Sequence, residues 1–201
     1  MIRVILSFIP PTILVKFMFK RFESWVSALP DTPAERPPTG LFAFCRHYTK
    51  GFELPLILMS LLTASLAILE VSLFGFMGEL VDLLANSSPD TLWQDHGQTL
   101  ITMALLILVV IPILVLLHAL VIYQGLLGNY PMSIRWLAHR YLLKQSVSFY
   151  QNDFAGRVAT KVMQTSLAVR ETVTKLLDVL VYILVYFTTM LVMIAQSDIR
   201  L

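Results

Sequence analysis

The stretch at residues 100–123 reads LITMALLILVVIPILVLLHALVIY and contains no Asp, Glu, Lys or Arg. At 1.5 Å of rise per residue, a helix of this length covers about 36 Å. That length exceeds the roughly 30 Å hydrocarbon core of a bilayer. The stretch therefore predicts a transmembrane helix, and Pro112 predicts a local kink within it.

The composition of the whole chain agrees with a membrane location. Of its 201 residues, 57% are hydrophobic and 14% are charged, whereas a soluble domain carries about 25% charged residues. The formal net charge of +2 gives no reason to expect a nucleic-acid partner. The single cysteine, Cys45, excludes an intramolecular disulfide and a zinc site built from several cysteines.

Two more apolar stretches have the length of a membrane span, which predicts an all-α polytopic membrane protein with three transmembrane helices. The predicted spans are about 53–84, 99–123 and 176–195, and the second is expected to continue as a helix to residue 148. Residues 1–40 are predicted to form a cytoplasmic segment that ends in a linker, because residues 30–40 contain four prolines.

The distribution of Lys and Arg predicts the orientation of the spans. Six of these residues fall between Lys16 and Lys50 and seven between Gln124 and Lys175, while none falls between Leu84 and Leu100. Cytoplasmic loops carry the excess of positive charge. The amino terminus and the long connection between the second and third spans are therefore expected in the cytoplasm.

Ionisable side chains inside the predicted spans are candidates for function, because a charge in hydrocarbon is costly. Glu70, His118 and Asp178 are the candidates for a cavity lining or a proton relay. The alternative is that they make interhelical hydrogen bonds or are solvated at the interface, and Asp178 can also pair with Lys175 three residues earlier. Glu79 and Asp82 lie near the outer end of the first span, which favours that alternative for these two residues. Both interpretations, a functional role and a structural one, stay open for all five positions.

Motifs for phosphate binding and hydrolysis are missing from the sequence. None of the eight glycines lies in a GxxxxGK[ST] arrangement, and neither G-x-S-x-G nor H-E-x-x-H occurs. The sequence accordingly predicts no catalytic residue, no metal ligand and no cofactor bound by this chain itself.

The remaining polar stretch, residues 148–171, reads SFYQNDFAGRVATKVMQTSLAVRE and lies between two predicted spans. Phe149 and Tyr150 precede polar residues at a turn, and Gly156 permits the backbone to reverse. Two long helices that project into water are unstable unless neighbours cover their apolar stripes. The hairpin therefore predicts a partner, with the alternative that it is only a solvated connector.

At these residues the chain resembles the transmembrane domain of an ATP-binding cassette (ABC) exporter. That family has a coupling helix around a pattern close to FF[DE]xxxxGxxxxR, followed later by an Asp. Phe149 and Tyr150 match the two aromatic positions and Gly156 matches the glycine, whereas Gln151, Lys161 and Thr165 depart from the strict pattern. Residues 41–50 resemble the elbow helix of the same family.

The resemblance implies a partial exporter transmembrane domain over residues 41–201, with a coupling-helix tip at 149–155. It implies that a nucleotide-binding domain, which binds ATP and Mg, contacts the tip, and that the complete transporter is a homodimer or heterodimer with further transmembrane helices, embedded in membrane lipid. It also implies a cell membrane, with the bacterial inner membrane expected. The residues implied in the contact are Phe149, Tyr150, Gln151, Asn152, Asp153, Phe154, Ala155 and Gly156, with Arg157 and Lys161 as electrostatic support.

Family members continue with three more spans and a nucleotide-binding domain, so the chain is expected to be the amino-terminal half of a membrane domain, from a truncated reading frame or as a fragment. Two other functions stay open. One is an ion-coupled carrier that uses Glu70, His118 and Asp178 as a relay, and the other is a three-span scaffold or regulator that binds a partner. The sequence does not identify the transported substrate.

Overall fold

A computed structural model describes residues 25–33, 35–86, 92–152 and 155–197, and for residues 86, 92–95, 152, 155 and 197 it describes the backbone alone. Throughout these ranges the regular structure is helical, without a strand. Residues 1–24, 34, 87–91, 153–154 and 198–201 lie outside the described residues, and they include most of the predicted cytoplasmic segment 1–40. The prediction of an all-α fold is confirmed.

The helices follow one another with short connections. Helix α1 is amphipathic and short, α2 and α7 are long, and the helices between them are interrupted or short. Their bounds are α1 Leu41–Thr49, α2 Glu53–Asn86, α3 Leu92–Leu105, α4 Ile111–Leu120, α5 Asn129–Leu142, α6 Val147–Asn152 and α7 Ala155–Ser197.

Three helical stretches in the described ranges are long and apolar enough to cross a membrane: Glu53–Ala85, His96–Leu142 and Gly156–Gln196. Their side chains are largely exposed and apolar, as with Leu108, 74% exposed, and Leu191, 66% exposed. Exposed surface of this kind is stable in lipid or against other apolar helices, not in water. The chain is an all-α polytopic membrane protein, as the sequence predicts.

The second candidate span is irregular around its proline. Two π-helical turns, Leu106–Val110 and Val121–Leu126, separate α3 from α4 and α4 from α5. Pro112 has no N–H to donate, and its ring clashes with the carbonyl four residues earlier in a regular α-helix. A wider turn immediately before the proline gives this crowded carbonyl more room. The predicted disturbance at Pro112 is therefore a change of helix type rather than an end of the helix.

A glycine makes the turn between α1 and α2. Gly51 has a φ of 89°, in the region that favours glycine, and its N–H donates to Glu53 Oε2 at 2.7 Å. Helix α2 then begins at Glu53, and Pro55 lies in its first turn, where a missing N–H removes no helical hydrogen bond. The sequence GFELP thus fixes where the first span begins.

The chain divides into two compact units, and the first contains the described residues of 1–58 and 120–176. Its core is built around Tyr130, which is fully buried and stacks on Phe52 with ring centroids 4.6 Å apart. Thr49 donates its hydroxyl hydrogen to the Cys45 carbonyl at 2.6 Å, so the Tyr130 hydroxyl donates to Thr49 Oγ1 at 2.7 Å. Burial, and then the nearby Tyr141, raise the pKa of Tyr48 and keep its phenol neutral.

The proline-rich linker lies against α5 in the same unit. The indole N–H of Trp136 donates to the Pro30 carbonyl at 3.2 Å, and Arg140 donates to the carbonyls of Pro30 and Thr32 at 3.2 and 3.0 Å. Asn129 donates to the Val26 carbonyl at 3.2 Å. The linker has no helix in its described part, in agreement with its four prolines, and side chains of α5 satisfy the backbone carbonyls of Pro30 and Thr32.

The packing of Tyr130 predicts an order of stability losses in detergent micelles. Tyr130→Ala leaves a cavity beside Phe52 and is expected to lower the free energy of unfolding by about 3 kcal/mol or more. Tyr130→Phe removes only the hydrogen bond to Thr49 and is expected to cost about 1 kcal/mol. Tyr123→Ala is the control, because that side chain is 63% exposed. Thermal unfolding measures all three, and equal losses for Tyr130→Ala and Tyr123→Ala would contradict this description of the core.

Candidate functional site

A cavity of about 290 Å³ lies in the second unit, which contains the described residues of 59–119 and 177–201. Its wall combines ionisable, hydroxyl and apolar side chains from candidate spans. The lining residues are Thr63, Leu66, Glu70, His118, Asp178, Val179 and Tyr182. Polar groups in such helices are expensive unless they find partners, so their contacts decide what the cavity can do.

Thr63 connects the first group of polar residues. Its side chain is 4% exposed, and Oγ1 donates to Asp178 Oδ1 at 2.5 Å. His118 Nε2 lies 3.0 Å from the same Oγ1 and 3.5 Å from Asp178 Oδ1. A threonine hydroxyl has one hydrogen, and Asp178 receives it, so His118 must donate through Nε2–H. The three contacts select the Nε2-protonated form of His118 and bring a donor close to the carboxylate.

Glu70 and Tyr182 form the second polar group of the cavity. The Tyr182 hydroxyl donates to Glu70 Oε2 at 2.7 Å. The Tyr182 ring also stacks on Tyr186, with centroids 5.6 Å apart and an interplanar angle of 25°. The Glu70 carboxyl group therefore accepts a hydrogen bond from a phenol whose ring belongs to a stacked aromatic pair.

The structure brings together the three intramembrane candidates that the sequence suggests. Glu70, His118 and Asp178 all line the cavity described above. The pairing of Asp178 with Lys175 is not formed, because Asp178 contacts Thr63 and His118. Lys175 Nζ instead lies 3.9 Å from Glu171 Oε2, one helical turn away. The two spacings are both compatible with a helix, and the sequence alone does not choose between them.

Sequence reasoning missed Thr63 and Tyr182, which complete both polar groups. Neither side chain is charged, and hydroxyl side chains occur at several other positions in these helices. A signal did exist: Thr63 and Glu70 are two turns apart on one face of α2, and Asp178 and Tyr182 are one turn apart on α7. A search for hydroxyl residues at helical spacing from each acidic residue would have found them.

Glu79 and Asp82 do not line this cavity, and both side chains are exposed. Nor does a metal site appear where side chains are described: no group of three His, Cys, Asp or Glu residues there is arranged to hold an ion. Among the five ionisable candidates from the predicted spans, the cavity therefore contains Glu70, His118 and Asp178 alone.

The predicted tip of the hairpin contains the short helix α6, in the first unit. Phe149 and Tyr150 meet edge to face with centroids 5.2 Å apart, and each remains more than one third exposed. The Tyr150 hydroxyl donates to the Leu142 carbonyl at 2.7 Å, which satisfies a backbone acceptor at the end of α5. This bond fixes the turn between α5 and α6.

Several predicted contact residues adjoin this aromatic pair. Gln151 is exposed, and α7 begins at Ala155. Asn152 and Ala155 have a described backbone only, and Asp153 and Phe154 lie outside the described residues. The last three predicted positions, Gly156, Arg157 and Lys161, are exposed at the start of α7.

Helices α5 and α7, which precede and follow α6, bury part of their apolar surface. Val158, Val169 and Ile134 are each less than 10% exposed. Ser166 is fully buried, accepts a hydrogen bond from Arg135 Nε at 2.9 Å and donates to the Met163 carbonyl at 2.8 Å. Other apolar side chains in and next to the hairpin stay exposed: Leu143 at 70%, Val147 at 73%, Met163 at 51% and Leu167 at 39%.

Comparison with known proteins gives one informative similarity. The chain is 43% identical over 181 residues to a Haemophilus influenzae protein named as an uncharacterized ABC transporter ATP-binding protein. The match covers 90% of this chain and 29% of that protein, so the chain spans less than a third of the length of the relative. No protein-family profile matches the chain. No solved structure matches it either.

The Thr63 contacts predict a measurable stabilisation of the second unit. Thr63→Val keeps the shape of the side chain but removes the donor to Asp178, and it is expected to cost about 1–2 kcal/mol. Thr188→Val is the matched control, because that hydroxyl bonds only its own helix at the Leu184 carbonyl. Unfolding in mixed micelles gives both values. A loss for Thr63→Val no larger than for Thr188→Val would show that the Thr63–Asp178 contact does not stabilise the unit.

Proposed function

We propose that this chain forms part of the membrane domain of an ATP-driven ABC transporter of the exporter type. In this proposal its transmembrane helices contribute to the translocation pathway. The hairpin of residues 148–171 receives the movement of a nucleotide-binding domain. The chain supplies helices and a contact surface, and another part of the transporter supplies ATP hydrolysis.

The similarity to the Haemophilus influenzae protein is the observation that carries this proposal. It extends over 90% of the chain, at an identity of 43%, and the relative is named for an ABC transporter. The chain itself consists largely of three candidate spans and has no GxxxxGK[ST] loop. The ATP binding in the relative's name is therefore assigned to the part of that protein beyond the matched region.

ATP and Mg do not fit the residues of this chain. A phosphate-binding loop needs glycines whose backbone N–H groups surround the phosphates, and a lysine next to them. No such arrangement occurs in the sequence. No step of nucleotide chemistry is assigned to this chain.

The surface of the hairpin supports a protein contact at the tip. Phe149 and Tyr150 present aromatic faces, and Leu143 and Val147 are at least 70% exposed beside them. Aromatic residues concentrate binding energy in interfaces because they bury a large area with little loss of conformational freedom. The hydrogen bond from Tyr150 to the Leu142 carbonyl holds the pair in a defined position before any partner binds.

The proposed mechanism follows from the continuity of the helices. Helix α7 runs without interruption from Ala155 to Ser197, and in this proposal it carries a displacement at its first turns toward the membrane. When two nucleotide-binding domains close on ATP, the hairpin moves with them, and the membrane helices change between inward-facing and outward-facing arrangements. The roles proposed for this chain are to bind the moving domain and to transmit its displacement.

The remaining features of the proposal concern location and assembly. The excess of Lys and Arg around the hairpin and before residue 50 supports a cytoplasmic amino terminus and a cytoplasmic hairpin. A cell membrane, the bacterial inner membrane, is proposed as the location. The largely exposed apolar spans support assembly with further transmembrane helices as a homodimer or heterodimer.

The cavity of the second unit favours one competing function, an ion-coupled carrier. Glu70, His118 and Asp178 line it together, as a proton relay requires. Inverted membrane vesicles separate the two functions: uptake driven by a proton gradient without ATP favours the carrier, and uptake that needs ATP favours the transporter proposed here.

Cross-linking in membranes tests the proposed contact. In a Cys45→Ser background, Gln151→Cys is expected to cross-link to a polypeptide that carries a GxxxxGK[ST] loop and is labelled by a photoreactive ATP analogue. The control is Leu84→Cys, which is 60% exposed and lies near the predicted outer end of the first span. Mass spectrometry identifies the products. Equal capture by the two variants, or no ATP-binding product from Gln151→Cys, would contradict the proposal.

The aromatic pair gives a second test, on the purified transporter with its ATP-binding subunit or domain. Replacing Phe149 and Tyr150 together by Ala removes the exposed rings and is expected to lower transport-coupled ATP hydrolysis several-fold. Tyr150→Phe is the control that keeps the ring and loses only the bond to the Leu142 carbonyl, and it should retain most of the activity. An unchanged hydrolysis rate in the double-Ala variant rules out coupling through these residues.

A further inference from the structure

The cavity in the second unit has an unusual balance of charge for a site in apolar helices. We propose that it binds an organic monocation, a substituted ammonium group attached to an apolar body, as the cargo of the transporter. The inference rests on the proposed function for the role of cargo, and on the side chains of the cavity for the class of molecule.

The ionisable side chains that face the cavity favour a cationic ligand. The ionisable groups in its lining are Glu70, His118, Asp178 and Tyr182, and the described lining residues include neither Lys nor Arg. His118 lies beside Asp178, so even a protonated imidazole balances only that carboxylate. Glu70 has a neutral phenol as its hydrogen-bond donor. An ionised Glu70 therefore leaves a negative charge that a cationic ligand can neutralise.

An aromatic surface lies beside Glu70. Tyr182 lines the cavity, its hydroxyl bonds Glu70 Oε2, and its ring stacks on Tyr186, which puts an electron-rich ring in the wall beside the carboxylate. Cations are attracted to the faces of aromatic rings, and substituted ammonium groups are the ligands for which proteins commonly use this contact. A carboxylate together with tyrosine rings selects such a group over a neutral one.

The lining of the cavity does not suit other classes of ligand. A metal ion needs three or more suitable ligands, and no such group of His, Cys, Asp or Glu occurs in the described part of the chain. An anion would be repelled by Glu70 and Asp178. Leu66 and Val179 make part of the wall apolar, which suits a hydrocarbon body. The volume of about 290 Å³ fits a small molecule of this kind.

The two carboxylates have different roles in this inference. Asp178 is held by Thr63 and lies beside His118, so it positions the wall of the cavity. Glu70 is exposed and receives one hydrogen bond at its Oε2 atom, so it remains accessible to a ligand. Glu70 is the residue assigned to contact the ammonium group, and Tyr182 supplies the adjacent ring face.

A pair of isosteric probes tests the inference on the full chain in lipid nanodiscs. Benzyltrimethylammonium carries the charge, and neopentylbenzene has the same shape with carbon in place of nitrogen. Radiolabelled benzyltrimethylammonium is expected to bind saturably, after subtraction of empty nanodiscs, and neopentylbenzene to compete at least tenfold more weakly. Absence of saturable binding, or equal competition by the neutral probe, would overturn the inference.

Substitutions locate the binding. Glu70→Gln is expected to weaken binding of benzyltrimethylammonium at least tenfold, and Tyr182→Leu several-fold, whereas Glu70→Asp should retain part of the affinity. Glu79→Gln is the matched control, since it removes an exposed carboxylate of the same helix outside the cavity. Equal losses for Glu70→Gln and Glu79→Gln would refute the assignment. If Glu70→Gln does not fold, the comparison of the two probes on the unchanged chain still decides.

The binding experiment is independent of ATP, and this separates the inference from the proposed function. Cation binding together with failure of the Gln151 cross-link would remove the transporter proposal and keep the site. A successful Gln151 cross-link without cation binding would support the transporter proposal and overturn the cation site.

Discussion

Hydrocarbon offers no hydrogen-bond partner to a polar group, and the described part of this chain is arranged around that constraint. Helices satisfy the backbone internally, which is why the spans are helical and why most of their side chains are apolar. The few ionisable side chains in the second unit need partners of their own. Thr63, held between His118 and Asp178, provides the contacts that make two such groups compatible with apolar helices.

The same constraint relates the cavity to function. A polar group that only stabilised the helices would need no open volume beside it, yet Glu70 and Tyr182 line a cavity of about 290 Å³. In the first unit, by contrast, Tyr130 and Ser166 are fully buried and their hydrogen bonds hold helices together. Tyr130 and Ser166 of the first unit thus serve packing, whereas Glu70 and Tyr182 of the second unit face an open cavity, where the proposed cation would bind.

Composition and periodicity were enough to predict the helical class and the three spans, because 24 uncharged residues leave few alternatives in folding. The identity of Glu70, His118 and Asp178 as candidates also followed from charge in an apolar context. Their convergence on one cavity could not be predicted from the sequence, because it depends on how α2, α4 and α7 face one another in the second unit. Lys175 illustrates the difficulty: its spacing suits both Glu171 and Asp178, and only packing selects Glu171. The π-helical turn beside Pro112 likewise could not be predicted from the sequence, because a proline indicates that the helix is disturbed but not what geometry the disturbance takes.

In the proposed transporter the hairpin and the cavity are parts of one ATP-driven device, and accessibility of the cavity tests that proposal most directly. In the purified transporter, with Cys45→Ser and Val179→Cys, the rate of modification by a membrane-impermeant thiol reagent is measured with and without ATP and vanadate. The rate is expected to change several-fold with nucleotide, and this change is expected to disappear when Phe149 and Tyr150 are both replaced by Ala. The same rate in all these conditions would contradict the proposal.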